Sequence, residues 1–236
     1  MLFKNSKHSE GHHHHIHYFT ALKGITGMLR DPEHTDSVFD IEDGLRDTEA
    51  YDLALAHIVR HPATKRIVDE RYLAAPTDID ALQKLAPGSL GHTYARHIVD
   101  HGFDADYFRK IAVKTDLDYV LMRVRQTHDI WHVITGFQPN RIDEIALKAF
   151  ELAQLRRPMA AVIAAGGVMR YLFKEPEQLA EVLHGISLGY RLGLAAEPLL
   201  AQRWELEFDV PMEAWRKRLN INRTAADPDA VRHAPA

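Results

Sequence analysis

Apolar residues in this chain recur at helical spacing almost from end to end, and no stretch keeps the two-residue alternation of a half-buried strand. No pair of alternating runs joined by a tight-turn dipeptide marks a hairpin. A chain patterned in this way buries its apolar surface only by packing helix against helix. The predicted class is therefore all-α, a single-domain multi-helix bundle. With 236 residues, 46% of them hydrophobic, the chain is long enough to enclose one sizeable core.

Caps and prolines divide the pattern. The spacing predicts a helix over Tyr18–Arg30, ending before Asp31-Pro32. A second covers Thr48–Arg60 with Asp47 as its N-cap. His61-Pro62 breaks it, and a short helix follows to Arg71. Pro76-Thr77-Asp78 starts another, stopped by Pro87-Gly88. Ser89 caps a helix to His101, with Gly102 as terminator. A central helical hairpin comes next, Asp116–Thr135 and Arg141–Arg156, joined through Gly136, Pro139 and Asn140. Asn140 and Asp143 resemble a capping box with a shortened acid. Pro158 opens a small-residue helix whose Gly166-Gly167 pair suits close helix packing or, as the second reading, close approach of a ligand. Long helical segments are expected over Glu175–Phe208, and Pro211–Leu219 closes the fold. Three regions result: a disordered His-rich segment, 1–17; a helical domain, 18–221; and a disordered tail rich in Ala, Asp and Pro, 222–236.

Several function classes drop out. Cysteine is absent, so thiolate metal sites, disulfides and cysteine nucleophiles are excluded, and any metal must be held by His, Asp, Glu or water. The formal charge is -4 with no long basic run, which gives nucleic acid no electrostatic footing. The N-terminus lacks the apolar stretch of a secretory signal. The longest apolar stretch, Pro158 to Met169, is too short to span a bilayer and reads as a buried helix. The run His12 to His15, part of HHHHIH, reads as a tag remnant or a polar tail and is set apart from the site argument.

The chemistry concentrates on the first helix of the hairpin. Leu117, Leu121 and Val124 form a stripe whose continuation lands on His128 and then His132. At about 100° per residue, the two imidazoles lie about 40° apart and point inward with the leucines. Two readings fit: a pair of hydrogen-bonded core histidines, or two ligands of one divalent cation. Asp129, roughly 60° around the helix from His132, is a third ligand or a carboxylate that holds a ring N–H. Arg125 stands one turn before Asp129, at ion-pair spacing. Glu144 lies off the apolar side of its own helix, marked by Ile145, Ala149, Leu152 and Ala153, so periodicity alone makes it a solvated first-turn acid.

The string His128-Asp129-Ile130-Trp131-His132, followed after eleven residues by Glu144, resembles the HDxxH-x11-E motif of the coenzyme Q biosynthesis protein 4 family. Asp118-Tyr119-Val120-Leu121-Met122-Arg123 ahead of it, Glu144 to Glu151 after it, Pro87-Gly88-Ser89-Leu90-Gly91 with Tyr94, and Arg203-Trp204-Glu205 with Pro211, Trp215-Arg216 and Leu219 resemble further segments of that family. The likeness runs from about Tyr18 to Ile221. Val124 and Gln126 depart from it, since the family often shows Tyr and Glu there.

The resemblance implies a helical fold and a divalent metal, usually zinc with ferrous iron as the alternative, held by His128, His132 and Glu144 with Asp129 as fourth ligand or orienter. It implies ubiquinone synthesis, by oxidative decarboxylation of a polyprenyl hydroxybenzoate at ring carbon C1. These four residues would then be the catalytic set. It further implies contact with a prenylated quinone precursor, other pathway proteins and the membrane periphery, on the cytoplasmic inner face in a bacterium, with a homo-oligomer as one form of the protein. Three other classes stay in view: a non-catalytic scaffold or lipid-presenting protein, a metallohydrolase in which Asp129 replaces the general-base Glu of HExxH, and a plain helical interaction module with no metal.

Overall fold

The computed structural model describes residues 35–227. The His-rich segment, the expected helix Tyr18–Arg30 and the last nine residues lie outside the described part. Within it every regular element is helical, and the β pairing is one isolated antiparallel bridge between Ser89 and Pro211. The helices are α1 (Thr35–Leu45), α2 (Glu49–Ile58), α3 (Pro62–Glu70), α4 (Ile79–Leu82), α5 (Leu90–His101), α6 (Asp116–Thr135), α7 (Arg141–Leu155), α8 (Pro158–Lys174), α9 (Leu179–Ala195), α10 (Met212–Arg218) and α11 (Arg223–Ala226). The all-α class and the central hairpin, α6 and α7, are as the sequence predicts.

Local chemistry sets the hairpin. Thr115 caps α6 in a reciprocal box: its hydroxyl accepts from the Asp118 N–H at 3.1 Å, and Asp118 accepts from the Thr115 N–H at 2.7 Å. Gly136 ends α6 with φ +77, a left-handed conformation that glycine adopts at little cost. Asn140 accepts from the Asp143 N–H at 3.0 Å, but the Asp143 carboxylate turns to the Gln138 N–H at 2.7 Å. Only half of the expected capping box forms.

Helix α6 is buried on nearly every side. Val120, Trp131 and Ile134 sit in the main core with Trp204 and Trp215, whose rings lie 4.8 Å apart. Its charged residues are buried as well, so they need partners. Arg123 makes a two-pronged pair with Glu205, at 2.7 and 3.0 Å. Arg125 pairs with Glu42 of α1, not with Asp129 as helical spacing suggested, because Glu42 arrives from across the core. Glu42 also holds Arg157, Arg157 donates to Glu151 at 2.7 Å, and Lys148 donates to Glu151 at 3.1 Å. These buried charges tie α1, α6, α7 and the link to α8 into one unit.

On the other flank, α7 lies almost against α9. A Cβ on Gly189 would be driven into the Ala146 carbonyl oxygen, and one on Gly193 would stand 2.6 Å from the Phe150 oxygen. Gly167 of α8 faces Ile145 in the same way, with 2.5 Å to its Cδ1, so close packing is the role of Gly167.

Other boundaries move. α1 has no counterpart in the sequence pattern: it is acidic, and the Asp43-Gly44 pair near its end looks like a turn. Its buried Ile41 packs on Met159. The N-cap of α2 is Thr48, not Asp47. The stretch expected to be helical from Glu175 to Phe208 is regular only in α9, with short 3-10 turns at Pro176–Gln178, Leu199–Ala201 and Trp204–Leu206. Residues 222–227, expected to begin a disordered tail, carry α11, where Asn222 caps the Ala225 N–H at 3.0 Å and Ala226 is buried. Among the described residues, no helix is long and apolar enough to cross a membrane.

Gly189→Ala is expected to destabilise the fold by about 3 kcal/mol, since its methyl group meets fixed backbone. Arg157→Met leaves Glu42 and Glu151 buried with less compensation, and about 3–5 kcal/mol is expected to be lost. Urea unfolding of each variant measures both.

Candidate metal centre

His128 and His132, one turn apart on α6, and Glu144 in the first turn of α7 converge on one point. Nε2 of His132 lies 3.3 Å from Nε2 of His128 and 2.9 Å from Oε1 of Glu144, and His128 Nε2 is 3.7 Å from Glu144 Oε2. One donor atom from each residue falls within 4.8 Å of the others. The hairpin connection brings Glu144 here, and its carboxylate is turned away from the side of α7 that packs on α8 and α9. That is the point at which helical periodicity, which left Glu144 in solvent, differs from the fold.

The three residues are not equally enclosed. The His132 side chain is 2% exposed, whereas His128 is 27% and Glu144 38% exposed. The centre thus has a fixed inner wall and an open outer side. His132 is fixed by its other ring nitrogen, with Nδ1 2.9 Å from the Phe137 carbonyl oxygen. That contact makes Nδ1 the protonated nitrogen and turns the Nε2 lone pair toward His128 and Glu144.

The donor set fits a divalent cation. Nitrogen ligands at about 2.0–2.1 Å in a tetrahedral shell stand about 3.3 Å from one another, and the two Nε2 atoms already have that separation. Two imidazoles and one carboxylate also match the donor set that leaves positions open at non-haem iron. Asp129 is not in the group of three. Its charge acts on His132 and on Tyr94 and His97 of α5, so it faces the α5 side of the centre.

Electrostatics agree with the geometry. Burial opposes ionisation of Glu144, but its contacts with both histidines hold its pKa well below the ordinary carboxylate value. Burial likewise lowers the His132 pKa, and Glu144 and the Phe137 carbonyl outweigh it, leaving a net rise. For His128, burial and then the nearby Lys148 cation give a net fall.

Sequence reasoning missed three contributors. Lys148, one turn after Glu144, reads as a surface lysine but is buried against Glu151. The Phe137 carbonyl carries no sequence signature. His97 stacks on His132 with ring centroids 5.9 Å apart, its Nε2 is buried without a hydrogen-bond partner, and burial brings its pKa to about 4. The spacing of His97 and His101 repeats that of His128 and His132, and this was the available signal.

Residues 14–225 match the family model for the coenzyme Q (ubiquinone) biosynthesis protein Coq4. The chain belongs to this family. Among curated proteins, the mitochondrial ubiquinone biosynthesis protein COQ4 of Lachancea thermotolerans is 33% identical over 146 residues, 61% of this chain and 44% of that protein. The corresponding Ajellomyces capsulatus protein is 32% identical over 214 residues, 86% of this chain and 74% of that one. The chain thus spans under half of the first relative and about three quarters of the second. A crystal structure of a Nostoc punctiforme protein assigned to ubiquinone biosynthesis is 35% identical, with a TM-score of 0.78 over 87% of this chain and 98% of that one. The family membership implied by HDxxH-x11-E is therefore shown, and the motif's two histidines and glutamate are the residues that converge.

A cation can enter only where the ring nitrogens are deprotonated. The raised pKa keeps a proton on His132 to higher pH than on a free imidazole, while Glu144 stays ionised. Metal uptake is therefore expected to weaken as pH falls from 8 to 6 and to release a proton near neutrality. Titration in weak buffer with an indicator dye measures this. His132→Ala is expected to lower affinity at least tenfold, read by metal analysis after His12 to His15 are replaced, so that a run of four imidazoles does not contribute to the reading.

Proposed function

We propose that this protein acts in ubiquinone biosynthesis as a metal-dependent enzyme, replacing the C1 carboxylate of a polyprenyl hydroxybenzoate with a hydroxyl group. The observation that carries this reading is the convergence of His128, His132 and Glu144 into a one-sided donor set, in a chain of this family. A divalent ion held there supplies Lewis acidity toward a phenol oxygen and, where it is iron and not zinc, a path for electrons.

The chain's own groups have definable tasks. His132 holds its lone pair inward from the Phe137 anchor, and the exposed edges of His128 and Glu144 leave room for a ring oxygen. Lys148 gives the inner side of the site a buried positive charge. Its partner Glu151 is shared with Arg157, so Lys148 is only partly neutralised, and an incoming carboxylate is attracted. Asp129, on the α5 side, orients the centre. In the reaction the bond from C1 to the carboxyl carbon breaks, carbon dioxide leaves, and water supplies the oxygen of the new C1–O bond. The two electrons and two protons released pass to dioxygen, which becomes hydrogen peroxide.

The environment of α8 supports an apolar partner. Ala161, Ala165, Met169, Leu172 and Phe173 recur at helical spacing and are exposed. On α9, Leu183, Tyr190 and Leu194 do the same. Such faces suit a prenyl tail or the periphery of a membrane, in line with a protein that meets a lipid-soluble precursor and other proteins of its pathway.

The direct test is turnover of the carboxylated prenyl precursor by protein loaded with ferrous iron or with zinc, in air. A hydroxylated product and carbon dioxide are expected, and no product with either metal would sink the enzymatic reading. Lys148→Met is expected to raise KM for the carboxylated precursor about tenfold, the loss of one charge-assisted contact, as measured by steady-state kinetics.

A further inference from the structure

The orientation of His132 depends on one peptide carbonyl, that of Phe137. This carbonyl lies just beyond the end of α6, where the last carbonyl groups of a helix lack partners within it. The turn has a few restraints of its own: the Gly136 N–H donates to the His132 oxygen at 2.8 Å, the Gln138 N–H donates to Asp143, and Gln138 Nε2 donates to the Gly136 carbonyl at the longer distance of 3.4 Å. Further restraints come from the C-terminal part of the chain.

Arg216 of α10 donates to the Ile134 and Val133 carbonyls at 3.0 and 3.1 Å. Arg223, the first residue of α11, donates through Nη1 to the Gly136 carbonyl at 2.7 Å, and its guanidinium lies 4.5 Å from the centroid of the Phe137 ring. The Gly136 carbonyl belongs to the peptide that joins Gly136 to Phe137. One side chain therefore grips that peptide and covers the ring of the residue whose own carbonyl fixes His132. Both arginines also place positive charge at the negative end of α6.

We propose that Arg223 is a positioning residue of the metal centre, holding the 136–137 turn so that the Phe137 carbonyl orients His132. This rests on the metal-binding reading above. Arg216 caps the same helix one turn earlier, donating to the Val133 and Ile134 carbonyls and not to that of Gly136, so it is the internal control. Arg223 also lines a cavity of about 420 Å³ with Phe137, Asp143, His184 and Asp227. Shortening its side chain therefore enlarges existing space and does not open a void in packed core.

The test uses the full chain carrying His12→Ser, His13→Ser, His14→Ser and His15→Ser. Zinc and ferrous affinities are measured for this background and for Arg223→Met, Arg223→Lys and Arg216→Met. In parallel, nitrogen-15 NMR of the metal-free proteins reads the His132 tautomer and the protection of its Nδ1 proton. Arg223→Met is expected to weaken metal binding tenfold or more, the range found when partners behind a ligand are lost, and to remove protection of that proton. Arg223→Lys restores most of both, and Arg216→Met changes neither by more than about threefold. Equal affinity in the background and Arg223→Met overturns the proposal, as does an equal loss in Arg216→Met. Should Arg223→Met fail to fold, the background protein still decides: a His132 ring with no proton on Nδ1, or an unprotected Nδ1 proton, also overturns it. If the background takes up no metal, the metal reading itself fails, while the NMR comparison still reports whether Arg223 holds the ring.

Discussion

Burying α6 strips water from its charged side chains, and the surrounding helices are arranged to replace it. A twenty-residue helix buried on nearly all sides carries Arg123, Arg125 and His132 into a region where unpaired charge is costly. Each is met from elsewhere in the chain: Arg123 by Glu205, Arg125 by Glu42, and His132 by the Phe137 carbonyl and Glu144. Through Glu42, Arg157 and Glu151 the same pairing runs across α1 and α7 to Lys148. The core is consequently stitched by charges as much as it is filled by side chains such as Trp131 and Phe150.

The hairpin has to satisfy two neighbours at once. On one flank α7 approaches α9 so closely that Gly189 and Gly193 have no room for a methyl group. On the other it presents Glu144, Lys148 and Glu151 to polar partners. The depth at which α7 sits against α9 therefore also sets how far Glu144 reaches toward His128 and His132. A glycine in α9 and a ligand in α7 act on the same quantity, the distance between two helices, which links packing to site geometry.

The centre is asymmetric for a physical reason. His132 lies on the part of α6 enclosed by the turn and by α5, with His97 stacked over it, while His128 and Glu144 stand at the rim. A rigid buried ligand beside two accessible ones keeps the donor set assembled and leaves one side for an incoming molecule. Lys148 adds a buried cation behind that opening.

The sequence by itself determined the helical class, because its apolar spacing has only that solution, and it determined the hairpin through Gly136 and Asn140. It also placed His128 and His132 together, since residues four apart on one helix share a face whatever surrounds it. Family likeness, and not periodicity, pointed to Glu144. Only the tertiary structure decided that Glu144 meets the imidazoles, that Arg125 turns to Glu42 and away from Asp129, that Lys148 is buried, and that residues 223–226 form a helical turn. Each of these rests on contacts between segments far apart in the chain. Helical periodicity records which side of a helix is apolar, and it holds no information about which distant group will satisfy a buried charge.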